Sequence, residues 1–308
     1  MAEIDRSSAN VITRIARKIY HPIGFTKGYN FAFWLVYLGV FLGFTISRLQ
    51  FLDFYGVFCS ATAKSATSHA APGECFYFLQ KPYTIGIVLH LATILPASLL
   101  VCIQFIPVIR RKATLLHRVN GYIIIILSVL SMVGVYIIAP RTFGGGFDAQ
   151  GLLGALSVTF LWALLMSYIS IKRRQIEQHR AWMLRAWFWA GSIITGRLIA
   201  ILVLKVLKSP PYYAMPCDKI DSMLQDRTLD LYPECLSFYS GANPQQNVVV
   251  RAEFNHPTSV VEAAAALDAV FGMAYFVAFL LHLFGVEIYL HLTSSETRHS
   301  GHVSSSKP

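Results

Sequence analysis

Long apolar segments constrain this chain more than any other feature. The longest covers residues 260–292, well beyond the roughly 20 apolar residues that a bilayer core requires. The whole chain of 308 residues is 55% hydrophobic and only 14% charged, whereas soluble domains carry about 25% charged residues. These properties predict an integral, multi-pass membrane protein.

Six such segments occur along the chain, and each is long enough to cross a membrane as a helix. They cover residues 31–50, 84–109, 119–139, 151–171, 181–207 and 260–292. The predicted fold is therefore all-α, a six-helix transmembrane bundle over residues 31–292. A cytosolic segment, residues 1–30, precedes this membrane domain, and a cytosolic tail rich in Ser and His, residues 293–308, is expected to be disordered.

Basic clusters alternate along the chain and predict its orientation. Lysines and arginines are concentrated before the first segment, between the second and third, and between the fourth and fifth. The positive-inside rule makes these three regions cytosolic, together with both termini. The longest connection, residues 208–259, then lies on the outer side. Since the net charge of +10 belongs largely to clusters beside the spans, we do not expect a nucleic-acid partner.

Four of the five cysteines fall in the predicted outer connections. Cys59 and Cys75 belong to the first of these, and Cys217 and Cys235 belong to the long one. In an oxidising compartment they could form two disulfides, either within or between the connections. In the alternative, the four cysteines are unpaired thiols. We expect that compartment to be the endoplasmic reticulum or another endomembrane rather than the plasma membrane.

One face of the last segment carries ionisable and aromatic side chains at intervals of seven residues. These are Asp268, Tyr275, His282 and Tyr289. Because seven residues are close to two helical turns, the four side chains form a single stripe. An ionisable group at membrane depth costs about 2.5–3.5 kcal/mol on insertion scales, so it indicates a functional site that faces a polar interior.

Asp268 is the centre of the leading functional hypothesis. A carboxyl group in an apolar cavity can act as a proton donor, with His90 as a proton relay and Arg197 as an orienting group. Tyr275 would form part of an aromatic wall that stabilises positive charge. The predicted function is a membrane-embedded cyclase or isomerase for a lipophilic, isoprenoid-type substrate of terpenoid or meroterpenoid chemistry. In the alternative, Asp268 pairs with Arg197 and only joins two helices.

Two histidines at the cytosolic ends of spans suggest a second class of function. His117 and His179 begin the third and fifth segments at matching depth, and paired histidines on neighbouring helices hold haem b in membrane oxidoreductases. They could instead bind lipid phosphates together with Arg118 and Arg180. We expect no cofactor and no metal, with one haem b, or a link to a quinone, as the alternative.

A third alternative is a lipid-binding membrane protein without catalytic activity. The expected partners under these hypotheses are a lipophilic small molecule and membrane lipid. The sequence leaves the oligomeric state open.

Two short motifs carry a family resemblance. His-Arg-x-x-Gly covers His117 to Gly121, and His-Arg-x-Trp-Met-x-Arg covers His179 to Arg185. With the residues around them, from about 84 to 205, they resemble a bacterial and fungal family of multi-span membrane proteins with a domain of unknown function. The resemblance implies the arrangement of spans over that part of the chain, and it brings no established chemistry.

Overall fold

The computed structural model describes residues 14–25, 27–60, 69–206 and 211–305, with side chains up to residue 292. Residues 1–13 and 26 of the predicted N-terminal segment, and residues 306–308 of the predicted tail, lie outside the described residues.

The helices, in chain order, are α1 (14–23), α2 (Gly28–Arg48), α3 (Glu74–Phe78), α4 (Tyr83–Gln104), α5 (Pro107–Lys112), α6 (Thr114–Ile138), α7 (Phe147–Lys172), α8 (Ile176–Ala190), α9 (Ser192–Val206), α10 (Cys217–Leu224), α11 (Thr228–Leu231), α12 (Leu236–Tyr239) and α13 (Val260–Ser305). The strands are β1 (Tyr212–Pro216) and β2 (Asn247–Arg251).

Six helical segments within the described residues are long and apolar enough to cross a membrane. They are Gly28–Leu52, Tyr83–Gln104, Thr114–Ile138, Phe147–Lys172, Ile176–Val206 and Val260–Leu292. The predicted all-α class and the number of spans are therefore confirmed. Which side of the membrane each end faces stays a prediction.

The second span ends earlier than the sequence predicts. The expected end is residue 109, but α4 ends at Gln104 and a separate short helix begins at Pro107. The ring of a proline disfavours the helical conformation of the residue before it. Ile106 accordingly adopts an extended conformation, with φ −80° and ψ 114°, and the helix direction changes there.

The fifth span consists of two helices, α8 and α9, that meet at Gly191. His282 of α13 explains the break, because its Nδ1 lies 2.5 Å from the carbonyl oxygen of Phe188. That carbonyl would otherwise accept the helical hydrogen bond of the residue four positions later, and a side chain inserted in this way bends a helix. The hydroxyl of Thr195 lies 2.8 Å from Nε2 of the same histidine.

The last helix is longer than expected. It continues to Ser305, whereas the composition predicts a disordered tail from residue 293. Each residue added to a helix that is already formed gains one hydrogen bond and loses the conformational freedom of only that residue. The unfavourable nucleation step is not repeated. The polar residues after Leu292 therefore prolong the helix beyond the span.

The chain divides into two compact units. The first comprises residues 1–53 and 88–133. Polar side chains join its helices: the indole N–H of Trp34 donates to the carbonyl of Phe105 at 2.9 Å, and the amide of Asn120 donates to that of Leu100 at 3.0 Å. These bonds join the C-terminal part of α4 and the residue after it to α2 and α6.

The second unit comprises residues 54–87 and 134–308. Here α13 packs along α9, and α7 packs against α8. Small residues allow close approach: a side chain at Gly196 would lie within 2.6 Å of the Tyr275 ring. Small residues serve the same purpose at helix contacts in other membrane proteins.

Two short strands and two disulfides order the connections of the second unit. β1 and β2 pair antiparallel, with Tyr212 opposite Arg251. The disulfides join Cys59 to Cys75 and Cys217 to Cys235. Each disulfide thus closes one connection, which decides between the two pairings that the sequence allows.

Candidate functional site

A buried ion pair lies at the start of α13. The Nζ of Lys219 donates to Oδ2 of Asp268 at 2.7 Å, and each side chain is only 1% exposed. Asp268 lies two turns into α13, whereas Lys219 belongs to α10 in the long connection. The connection therefore places a cation directly on the acidic residue of the last span.

Glu74, at the start of α3, is the third ionisable member of the cluster. It is 3% exposed, and both of its carboxylate oxygens accept the backbone N–H of Phe143 at 3.1 Å. Asp268 and Lys219 both act on it electrostatically. Two carboxyl groups and one amine thus share a single desolvated region, which we call the buried cluster (Glu74, Lys219, Asp268).

The two extramembrane members of the buried cluster have different protonation behaviour. Burial, reinforced by the charge of Asp268, raises the pKa of Glu74 from its ordinary value of 4.5 to about 8. Burial alone would lower the pKa of Lys219, but the charges of Asp268 and Glu74 overcome this and raise it. At neutral pH, Glu74 therefore holds a proton beside the ionised pair of Lys219 and Asp268.

A glycine-rich turn covers the buried cluster. Its backbone is left-handed at three successive residues: Phe143 with φ 46°, Gly144 with φ 75° and Gly145 with φ 67°. A side chain at Gly144 would collide with the hydroxyl of Tyr213 and lie 3.2 Å from Oδ2 of Asp268. Left-handed geometry is costly at Phe143, and such strain is concentrated at functional sites in other proteins.

Aromatic rings continue from this turn along α13. The ring centroid of Phe143 lies 4.1 Å from that of Phe271, which lies 4.2 Å from that of Tyr275. On the other side, the ring of Tyr77 lies 5.7 Å from Nζ of Lys219 and 5.2 Å from the guanidinium of Arg141. The buried cluster therefore has aromatic neighbours both toward the span and toward the surface.

One oxygen of the buried cluster lacks a hydrogen bond within the described part of the chain. Oδ1 of Asp268 is buried and accepts none from the described residues, although Oδ2 is bonded to Lys219. A buried carboxylate oxygen without a donor is costly, since it has lost its water. A ligand that donates a hydrogen bond to this oxygen would therefore bind favourably here.

The structure brings together two of the four residues predicted for catalysis. Asp268 and Tyr275 lie on one face of α13, and the ring of Phe271 packs beside that of Tyr275. The alternative that Asp268 pairs with Arg197 is wrong, because its partner is Lys219 and the side chain of Arg197 is exposed. The sequence does not show how the long connection folds. It therefore favours a cation on a neighbouring span, such as Arg197, as the partner of Asp268.

His90 belongs to the first unit and has its contacts there. Its Nδ1 lies 2.8 Å from the hydroxyl of Ser131. Asp268 belongs to the second unit. A relay role for His90 stays a prediction, and the buried cluster does not include it.

Sequence reasoning missed Glu74 and Lys219. Both stand beside cysteines, in Gly73-Glu74-Cys75 and in Cys217-Asp218-Lys219. A charged residue next to a cysteine in a connection has no periodicity, so a pattern search along the spans passes over it. Only the disulfides and the fold of the connection bring these two side chains to α13.

The two histidines considered for haem each have a hydrogen bond within their own unit. The backbone carbonyl of His117 accepts the amide of Gln104 at 2.7 Å, and Nδ1 of His179 lies 2.8 Å from the hydroxyl of Ser167. The haem hypothesis for this pair stays a prediction. Within the described part of the chain, no group of three or more His, Cys, Asp or Glu side chains could hold a metal ion.

Part of the chain matches a known protein family. Residues 87–216, less than half of the chain, match the model of a family described as "Predicted membrane protein (DUF2306)". No curated protein and no solved structure matches the chain. The matched segment contains the glycine-rich turn, but Glu74, Lys219 and Asp268 all lie outside it. Over that segment the chain is similar to a membrane protein family of unknown function. That the two His-Arg motifs carry the resemblance stays a prediction.

Proposed function

We propose that the protein is a membrane-embedded acid–base enzyme, an isomerase or cyclase, and that the buried cluster is its active site. One observation carries the proposal: a carboxyl group that holds a proton, Glu74, shares a desolvated site with an ionised carboxylate, Asp268. Two carboxyl groups whose environments favour opposite protonation states are the arrangement that assigns acid and base roles in enzymes.

Glu74 is the proposed general acid. It is protonated near neutral pH because its pKa is raised to about 8, and a general acid is most effective when its pKa is close to the working pH. It would protonate a carbon–carbon double bond or an oxygen of the substrate. This differs from the sequence hypothesis, in which Asp268 is the donor.

Asp268 is the proposed base. Lys219 keeps it ionised through Oδ2, while Oδ1 has no donor among the described residues. After Glu74 has given a proton to the substrate, Oδ1 removes one from a neighbouring carbon. The substrate thereby changes its bonding without a change in composition, and Lys219, which carries a proton between the two carboxyl groups, restores the starting state.

The aromatic neighbours suggest the class of substrate. A positive charge on carbon, formed between the two proton transfers, is stabilised by the faces of aromatic rings. Phe271 and Tyr275 supply such faces beside Asp268, deeper along the span. A lipophilic substrate with an isoprenoid-type double bond, entering from the bilayer, fits these surroundings.

Phe143 is the proposed gate of the site. Its ring stacks on Phe271, and its strained, left-handed backbone is held by the hydrogen bonds to Glu74. A substrate that displaces this ring gains access to Glu74. The same movement relieves the backbone strain at Phe143. Loop movements of this kind exclude water while chemistry takes place.

Deuterium incorporation tests the proposed reaction before the substrate is known. Membranes that contain the protein are incubated in heavy water with a panel of prenylated lipids, and isomeric products are sought by mass spectrometry. Because Glu74 exchanges its proton with solvent, the product should gain deuterium at carbon. We expect this label with the wild type and its loss in Glu74→Gln and Asp268→Asn.

Two further results define the test. Glu177→Gln is the control, because it changes an exposed carboxyl in the same way and should leave the label intact. Equal labelling in Glu74→Gln and in the wild type would refute the role of Glu74.

A further inference from the structure

Each of the two disulfides includes a cysteine that lies within two residues of a member of the buried cluster. Glu74 directly precedes Cys75, and Lys219 follows Cys217 by two residues. Only the third member, Asp268, lies on a membrane span. Each charged residue that comes from a connection is therefore fixed, within two residues, by a covalent bond.

Each disulfide closes a short segment beside a member of the buried cluster. They close segments with sequence separations of 16 and 18 residues, and three of the four cysteines, Cys59, Cys217 and Cys235, are fully buried. Without these bonds, each connection would have many more conformations in which its charged residue is hydrated. Hydration is strongly favoured for a lysine that is otherwise 1% exposed.

The local backbone also depends on this arrangement. Gly73 is left-handed, with φ 80°, and a side chain there would lie 2.6 Å from Cε of Lys219. The stem of Lys219 thus passes directly over the turn that leads into Glu74 and Cys75. The two closed connections hold each other in place through this contact.

We infer that the two disulfides assemble the buried cluster, so that the site is complete only after oxidation of both cysteine pairs. The inference rests on the proposed function only in treating the cluster as the working site. It means that newly made protein is inactive until it reaches an oxidising compartment, in agreement with the expected endomembrane location. Reduction during synthesis leaves Lys219 in water and Asp268 without its cation.

Acylation of lysine in the detergent-purified protein measures this assembly without reference to catalysis. An amine-reactive reagent is applied briefly, and the modification of Lys219 is measured by mass spectrometry relative to that of Lys81, which is exposed. Lys219 should be protected in the wild type. In Cys217→Ser/Cys235→Ser its modification should rise on the order of 100-fold, since a disulfide that closes a loop of this size restricts the open state to about that extent.

The control is Cys102→Ser, which changes the free, buried cysteine of the chain and should leave Lys219 protected. Only variant protein that elutes as a single species is compared. If too little does, folded wild type is reduced, alkylated and labelled instead, with the same expected increase. Unchanged protection of Lys219 after loss of the disulfide would overturn the inference. A rise in labelling, with no deuterium transfer in the wild type, would support the inference and contradict the proposed reaction.

Discussion

Lys219 is the residue on which the charge balance of the cluster depends. Replacement by Met removes the cation and leaves Asp268 buried without a partner, which costs about 3–5 kcal/mol in such pairs. We expect a large loss of thermal stability in detergent for Lys219→Met. Lys205→Met, which changes an exposed lysine at the end of α9, should stay within about 0.5 kcal/mol of the wild type.

A double variant separates loss of the pair from loss of packing. With Asp268→Leu added to Lys219→Met, no charge of the ion pair remains, so most of the lost stability should return. If the double variant is less stable than Lys219→Met alone, the ion pair is not the source of the effect.

Glu74 makes stability depend on pH in a defined direction. Its pKa is raised from 4.5 to about 8, so the folded state holds a proton that the unfolded state releases. The contribution is fully present below pH 4.5 and is lost as pH rises to about 8. The thermal midpoint of the wild type should therefore fall across this window. In Glu74→Gln, which keeps the shape of the neutral group, this fall should be absent, and an identical decline in both proteins would contradict the assignment.

At this scale the sequence predicts only part of the site. Asp268 and Tyr275 were found because helical periodicity places them on one face of one span. Lys219 and Glu74 were not found, because the contact between Lys219 and Asp268 joins residues 49 positions apart. Such a contact depends on how a connection folds back, and periodicity carries no information about that.

The glycine-rich turn between α6 and α7 is the element that covers the cluster. Gly144→Ala introduces a side chain against Tyr213 at a left-handed residue, so we expect a loss of about 1–3 kcal/mol together with loss of activity. Gly151→Ala is the matched control, because a side chain there meets nothing within 4 Å and alanine favours a helix. The measurement is the thermal unfolding of both variants. Equal stability of the two would contradict this prediction and show that the turn accommodates a side chain at residue 144.

Elements of the connections were harder to predict than the spans. The six spans follow from length and hydropathy, which the bilayer imposes directly. The pairing of β1 with β2 does not, since each strand has only five residues. The early end of α4 follows from Pro107, whereas the break in α8–α9 depends on a hydrogen bond from a distant helix.

The orientation of the whole molecule remains a prediction of the basic clusters, and glycosylation tests it. The chain has no Asn-x-Ser/Thr acceptor of its own. Val249→Thr makes Asn247 an acceptor in the long connection, where Val249 is 71% exposed and Asn247 is also exposed. His302→Asn makes one in the C-terminal tail. In microsomes we expect glycan on the first variant alone, and glycan on the second alone would reverse the orientation.

The most direct test of the acid–base account is an infrared titration of the purified protein. A protonated carboxyl group has a carbonyl stretch that its carboxylate lacks, and we expect such a band for Glu74, disappearing as pH rises through about 8. The band should be absent from Glu74→Gln and retained in Glu177→Gln. Asp268→Asn should also lose it at neutral pH, because Lys219 would then pair with Glu74 and ionise it. A band that persists in Glu74→Gln, or no protonated carboxyl at neutral pH in the wild type, would contradict the proposed division of roles between the two acids.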